Sequence, residues 1–205
     1  EGVRDFTSSV TQTRTARAEQ RNAQAESRRQ TIAERRAELE QEKQPQKTNV
    51  ARLLDRAKIH YELIPYEVDE NNLAATHVAE QLGEDIKCVF KTLVLKGEYP
   101  GRNSAASNAA GHFVCVVPGD AEVDLKKAAK AAGAKKAELI PMKELLPLTG
   151  YIRGGCCPIG MKKPFPTYFH STATDFGNIY VSAGVRGMQL KIDPKALIDF
   201  VGAEV

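Results

Sequence analysis

The chain has 205 residues, 42% of them hydrophobic and 27% charged, enough for one well-filled domain with an appendage. Its formal net charge of +3 is too mild to mark a nucleic-acid binder by bulk charge, so any contact with RNA has to come from a local patch. No apolar run reaches the roughly 18 residues a membrane helix needs, and nothing near the N-terminus reads as a secretory signal.

From Thr11 to about Pro45 the chain is rich in Arg, Glu, Gln and Ala, with Ile32 and Leu39 as its few large apolar residues. Good helix formers without an apolar stripe predict a solvated helix or a disordered arm over residues 1–46, with charges that nearly cancel. Because the chain begins at Glu1 and not at Met, a trimmed upstream segment is expected.

A compact domain is predicted over residues 47–205. Val50, Leu53, Leu54 and Ala57 share a helical face, and His60 to Tyr66 alternates as a strand. Thr76 to Leu82 reads as a helix stopped by Gly83 in a left-handed cap. Lys91 to Lys96 and His112 to Val117 read as strands, joined through Gly97 to Gly111 as a long mobile hairpin loop. Asp124 N-caps a helix ending at Ala132 before Gly133, and Pro141 opens a short helix from Met142 to Leu146. Asn178 to Ser182 and Met188 to Ile192 follow as strands, and Asp193-Pro194 caps a closing helix from Lys195 to Val201. Helices interspersed with short strands give an α/β or α+β domain with a mixed sheet.

Two stretches carry chemistry. In Gly154-Gly155-Cys156-Cys157-Pro158-Ile159-Gly160, glycines at both ends and a proline inside suit a loop whose backbone approaches a ligand closely. Lys91 opens an apolar run, which puts an ammonium at the end of a buried strand, where a catalytic or substrate-binding cation is useful. Cys88, Cys115, Cys156 and Cys157 lack Cys-x-x-Cys spacing, the pattern of reduced thiols in a cytoplasmic protein. Cys156 and Cys157 have no histidine beside them and read as small pocket-lining residues more than as a nucleophile. The histidines (His60, His77, His112, His170) show no metal-ligand spacing, so neither metal nor cofactor is expected. Lys162, Lys163, Lys191 and Arg153 are candidates for a basic patch, against the plainer reading of a solvated face.

The order Lys91-Thr92-Leu93, Asp124-Leu125-Lys126-Lys127, Gly133-Ala134-Lys135-Lys136, Gly150-Tyr151, Gly154-Gly155-x-x-Pro158-x-Gly160 and Ser182-x-Gly184-x-Arg186-Gly187 closely resembles the YbaK/EbsC family of Cys-tRNA(Pro) deacylases. The resemblance covers residues 47–205. It implies a single domain with a mixed, partly barrel-like sheet and surrounding helices, acting on mischarged tRNA(Pro) in the cytoplasm, with prolyl-tRNA synthetase as a candidate partner and no membrane. A small pocket cannot reject a competitor of similar size by more than a few kcal/mol, so a mischarged ester needs a second, hydrolytic check.

By the same resemblance, Lys91 is the principal functional side chain, holding the phosphate and ribose of the terminal adenosine or polarising the ester carbonyl. Gly154, Gly155, Pro158 and Gly160 shape the aminoacyl pocket. Tyr66 matches a pocket-side tyrosine, Ser182 and Gly184 a Ser-x-Gly turn facing the substrate, and Arg186 a basic residue beside it. Gln189 stands where close members carry an aspartate; a neutral amide can hydrogen-bond but cannot act as a carboxylate base. The family proposal that the substrate's own thiol attacks its ester, releasing a cyclic thioester, fits a motif with no evident enzyme nucleophile. Three readings stay open beside this one: release of alanine from Ala-tRNA(Pro), an editing domain belonging to a prolyl-tRNA synthetase, and a tRNA-binding module without chemistry, tethered to a synthetase by the N-terminal arm.

Overall fold

The computed structural model describes residues 20, 23–24, 26–35, 47–99 and 111–205. The predicted loop from Gly97 to Gly111 falls mostly outside them. The chain divides into two units, Glu1–Glu42 and Lys43–Val205. In the first, residues 26–35 are helical and exposed apart from a half-buried Ile32, as the missing apolar stripe dictates.

The second unit opens with helix α1, Asn49–Ala57. Thr48 caps it by accepting from the Ala51 amide, and Val50, Ala51 and Leu54 are buried along one face. Strand β1, Tyr61–Pro65, follows, then helix α2, Ala75–Leu82, ended by Gly83 at φ 67°. Next come a 3-10 turn over Ile86–Cys88 and the two long strands β2, Phe90–Glu98, and β3, His112–Pro118. Asp124 caps helix α3, Leu125–Ala131, through the amides of Lys126 and Lys127. Strand β4, Lys136–Leu139, helix α4, Met142–Thr149, strand β5, Thr167–Phe169, the hairpin β6, Ile179–Ser182, with β7, Met188–Ile192, and helix α5, Pro194–Val201, complete it.

These strands form two sheets. One has the order β1-β7-β6, all antiparallel; the other has the order β4-β2-β3-β5, antiparallel except for the parallel pair β3 and β5. An isolated bridge between Val89 and Tyr180 joins them, so the mixed α/β architecture stands as two open sheets and not a closed barrel. The period-two pleat sends Phe90, Val94, Val114 and Val116 into the main core with Val181, Leu190 and Leu197, while Leu95, Phe113, Cys115 and Val117 pack with Ala128 and Ala129 of α3. Strand β3 is covered on both faces, which is why it reads as a continuous apolar run.

Helix α4 continues past its expected end at Leu146 to Thr149, with Pro147 inside it. A proline there removes one amide donor, but Leu145 and Leu148 pack against the main core and hold the last turn. The thiols of Cys88 and Cys115 are pushed up to about 11 by burial, from an ordinary 9.0, and that of Cys156 to about 12. The folded chain therefore holds these protons more tightly than the unfolded chain. Their contribution to stability is complete below pH 9 and is lost as pH rises through 11 to 12, so urea titrations are expected to show the midpoint falling across that window.

Candidate active site

Lys91 is the second residue of β2, just past the bridge that joins the two sheets. Its half-buried ammonium donates to the Gly119 carbonyl at 3.0 Å. Gly119 follows the last residue of β3, and its amide donates back to the Val89 carbonyl at 2.7 Å. A Cβ at Gly119 would lie 2.6 Å from the Ala75 Cβ and 3.1 Å from the Val89 carbonyl oxygen. A side chain there would force its neighbours apart, and the close approach of α2 and Val89 to the end of β3 accompanies the Gly119 carbonyl that accepts from the ammonium.

A cavity of about 910 Å³ opens at this point, near the upper end of the range for small-molecule sites. Its walls come from the first residues of α2, from Val89 and the start of β2 through Val94, from Gly119 and Asp120, and from the junction of β4 with α4 at Leu139, Ile140 and Met142. Arg153, Gly154 and Cys156 supply one more side, and Tyr66, Ser182 and Gln189 another. Leu139 and Met142 are exposed and give the cavity an apolar edge.

The cavity thus brings together Lys91, Tyr66, Gly154, Ser182 and Gln189, five of the residues singled out in the sequence. Gly155, Pro158, Gly160, Gly184 and Arg186 stand outside its lining. Gly160, at φ +71°, leaves room for Leu53 and the Tyr151 hydroxyl, so it lets the loop lie on α1. Gly155 backs onto Val185, Gly184 onto Val50 and Tyr151, and Pro158 is buried. The Tyr151 hydroxyl donates to the Ile159 carbonyl, pinning the loop from below.

Arg186 Nε donates to the Arg153 carbonyl at 2.9 Å, and its guanidinium lies 3.6 Å from the Glu70 carboxylate. Arg186 therefore positions the Arg153-Gly154 wall. Arg186→Met is expected to raise KM several-fold with little change in thermal stability, as read from steady-state kinetics beside a melting curve.

Of the candidate basic patch, Arg153 alone reaches the cavity. Lys162 donates to the Leu146 carbonyl at 3.3 Å, and Lys191 pairs with Glu62 at 3.3 Å. Among the described residues no group of three or more His, Cys, Asp or Glu could hold a metal ion, and no helix is long and apolar enough to cross a membrane.

The protein's own thiols are poor nucleophiles. Burial raises Cys156, in the wall, to about 12, and Cys157, fully buried behind it, is raised as well. Cys156→Ala is expected to leave turnover intact, and iodoacetamide at pH 7.5 is expected to label neither residue in the folded chain, as mass spectrometry would report. Two site features escaped the sequence reading. Gly119 carried only the signal of a glycine directly after a strand, and Thr92 was visible as the neighbour of Lys91 without a role of its own.

The sequence profile of the aminoacyl-tRNA editing domain matches residues 69–200. The chain belongs to that family. Among its relatives is the "Putative Cys-tRNA(Pro)/Cys-tRNA(Cys) deacylase EbsC" of Enterococcus faecalis, 44% identical over 162 residues that span 79% of this chain and 93% of the relative. The uncharacterized protein YwhH of Bacillus subtilis is 27% identical over 139 residues, 68% of this chain and 82% of YwhH. Among solved structures, a "putative trans-editing enzyme for prolyl tRNA synthetase" superposes with a TM-score of 0.62 at 22% identity, covering 77% of this chain and 96% of that one. That likeness establishes the editing-domain fold. The match places the whole lining of the cavity from Asp69 to Gln189 inside the family domain, with Tyr66 just before it.

Proposed function

We propose that this editing domain hydrolyses the ester of mischarged Cys-tRNA(Pro), with Lys91 as its catalytic residue. The observation that carries the reading is the convergence of the Lys91 ammonium and the Gly154 wall on one cavity whose own thiol is held protonated. The name of EbsC supplies cysteine as the amino acid to test first.

In the chemistry this arrangement favours, the substrate provides the nucleophile. A free thiol with a pKa of about 8.5 is a few per cent thiolate near neutrality. Its sulfur attacks the ester carbonyl carbon, a C–S bond forms, and the C–O bond to the ribose breaks. The ribose oxygen leaves and takes up a proton from solvent; the four-membered cyclic thioester that results is opened by water to give cysteine. Lys91 stabilises the oxyanion that develops on the carbonyl oxygen and holds the adenosine phosphate nearby. Gly119 keeps the ammonium aimed, and the apolar edge at Leu139 and Met142 restricts water.

Release of amino acid from Cys-tRNA(Pro), Ala-tRNA(Pro) and S-methylcysteinyl-tRNA(Pro) tests this. Cysteine should be released fastest, on a rate that climbs with pH until the thiol is ionised, and S-methylation should abolish it. Equal release of alanine would replace the substrate thiol by an activated water. Tight tRNA binding with no release above buffer would leave only a binding module.

The same reading assigns the chemistry to residues 47–205 and places it in the cytoplasm, where tRNA is charged. It makes prolyl-tRNA synthetase the natural source of substrate, which co-sedimentation of the two proteins in the presence of tRNA(Pro) would test.

A further inference from the structure

Two side chains that line the cavity each carry a buried oxygen with no hydrogen-bond partner among the described residues: Gln189 Oε1 and Thr92 Oγ1. They come from different sheets, Gln189 from β7 and Thr92 from β2. Gln189 is only 6% exposed. A buried acceptor left unsatisfied is destabilising by about 1–3 kcal/mol, so a protein that retains one in a cavity wall has left a place for a donor. Lys91, Ser182 and Arg153 differ in this respect. The lysine already donates to Gly119, the Ser182 oxygen accepts from the Gly184 amide at 3.2 Å, and the Arg153 carbonyl accepts from Arg186.

The inference rests on the proposed reading of the site. An aminoacyl-tRNA enters tip first, because the tRNA body must stay outside, so the most buried polar atoms meet the amino acid and the half-buried Lys91 meets the ester and phosphate behind it. An esterified amino acid offers few donors at that tip. The carbonyl oxygen only accepts, and a thiol donates weakly. The α-ammonium carries three N–H donors and a charge, and its hydrogen bonds are of the strong, charge-assisted kind.

We propose that Gln189 and Thr92 read the free α-amino group of the substrate, Gln189 Oε1 and Thr92 Oγ1 each accepting one of its N–H bonds. A neutral amide suits this duty in an often empty site, because an unpaired buried carboxylate is far more costly to desolvate than an amide. The contact also selects against N-acylated esters, whose amide nitrogen has one hydrogen and no charge. The editing site would then spare chains already begun on a tRNA.

The test uses the full chain and two non-cleavable probes. One is adenosine carrying cysteine through a 3′-amide; the other is the same molecule without the α-amino group. By calorimetry the unmodified chain is expected to bind the amino probe at least tenfold tighter, since even one hydrogen bond to a charged group is worth about that factor. Gln189→Met keeps the length of the side chain, removes its acceptor, and is expected to lose most of the preference for the amino probe while binding the desamino probe as the unmodified chain does. Thr92→Val should lower the preference in part. Gln189→Glu should enlarge it, because a carboxylate meets the ammonium. Should Gln189→Met weaken both probes equally, or Gln189→Glu leave the preference unchanged, the residue has a structural role and the inference fails. Failure of the functional reading itself is seen elsewhere, as an unmodified chain that releases no cysteine from Cys-tRNA(Pro).

Discussion

Lys91→Ala is expected to slow the release of cysteine from Cys-tRNA(Pro) by about a hundredfold or more, the usual effect of removing a fixed group that stabilises a developing oxyanion. Lys91→Arg should recover part of it, because a guanidinium restores the charge but its wider fork does not fit a single carbonyl at the Gly119 distance. The melting temperature should scarcely move. Lys91 is half-buried, and its hydrogen bond goes to the backbone carbonyl of Gly119, a residue of the cavity lining. Single-turnover kinetics beside a melting curve would separate this outcome from simple unfolding. A large fall in stability with an unchanged rate per folded molecule would make Lys91 a structural residue.

Gly119→Ala is expected to act on both quantities. The new methyl would meet the Ala75 Cβ at 2.6 Å and the Ile86 Cδ1 at 3.0 Å, and the Val89 carbonyl at 3.1 Å cannot retreat without leaving the strand bridge with Tyr180. Overpacking of this kind costs about 1–3 kcal/mol. The strain has to be relieved by moving α2 away from the end of β3 or by tilting the Gly119 carbonyl, and a shift of that carbonyl displaces the partner of the Lys91 ammonium. Stability should therefore drop by about 1–3 kcal/mol in urea titration, and cleavage by roughly tenfold or more, as for a misplaced catalytic group. If the rate held while stability fell, the Gly119 carbonyl would have no part in aiming Lys91.

What the sequence made legible followed from local physics. Lys91 at the head of an apolar strand and a loop framed by glycines mark a cation and a close backbone approach, and both Lys91 and Gly154 line the cavity. The helix stop at Gly83 and the caps at Asp124 and Asp193 were readable because a cap is a contact within one turn. What stayed hidden depends on partners distant in sequence. Strand β4, with Ala137 as its one buried residue, is a strand because it pairs with β2, not because of its own pattern. Strand β5 has three residues, too short for a period, and follows Pro164 and Pro166.

The same division runs through the site. Gly160 and Gly184 carry the motif yet serve packing against Leu53, Val50 and Tyr151, which no spacing rule distinguishes from ligand contact. Gly119 and Thr92 depend on their surroundings in space, Gly119 packed against α2 and Thr92 lining the cavity with an oxygen that has no partner among the described residues. Gln189 was visible as a substitution, but its consequence required knowing that its oxygen is buried and unpaired.

A crystal structure of the full chain with the cysteinyl-amide of adenosine bound would test the central claim most directly. The amide carbonyl is expected within hydrogen-bond distance of Lys91 Nζ, with the cysteinyl side chain between Cys156 and Ser182. The adenosine seated on another face, with the Lys91 cavity empty, would contradict the account.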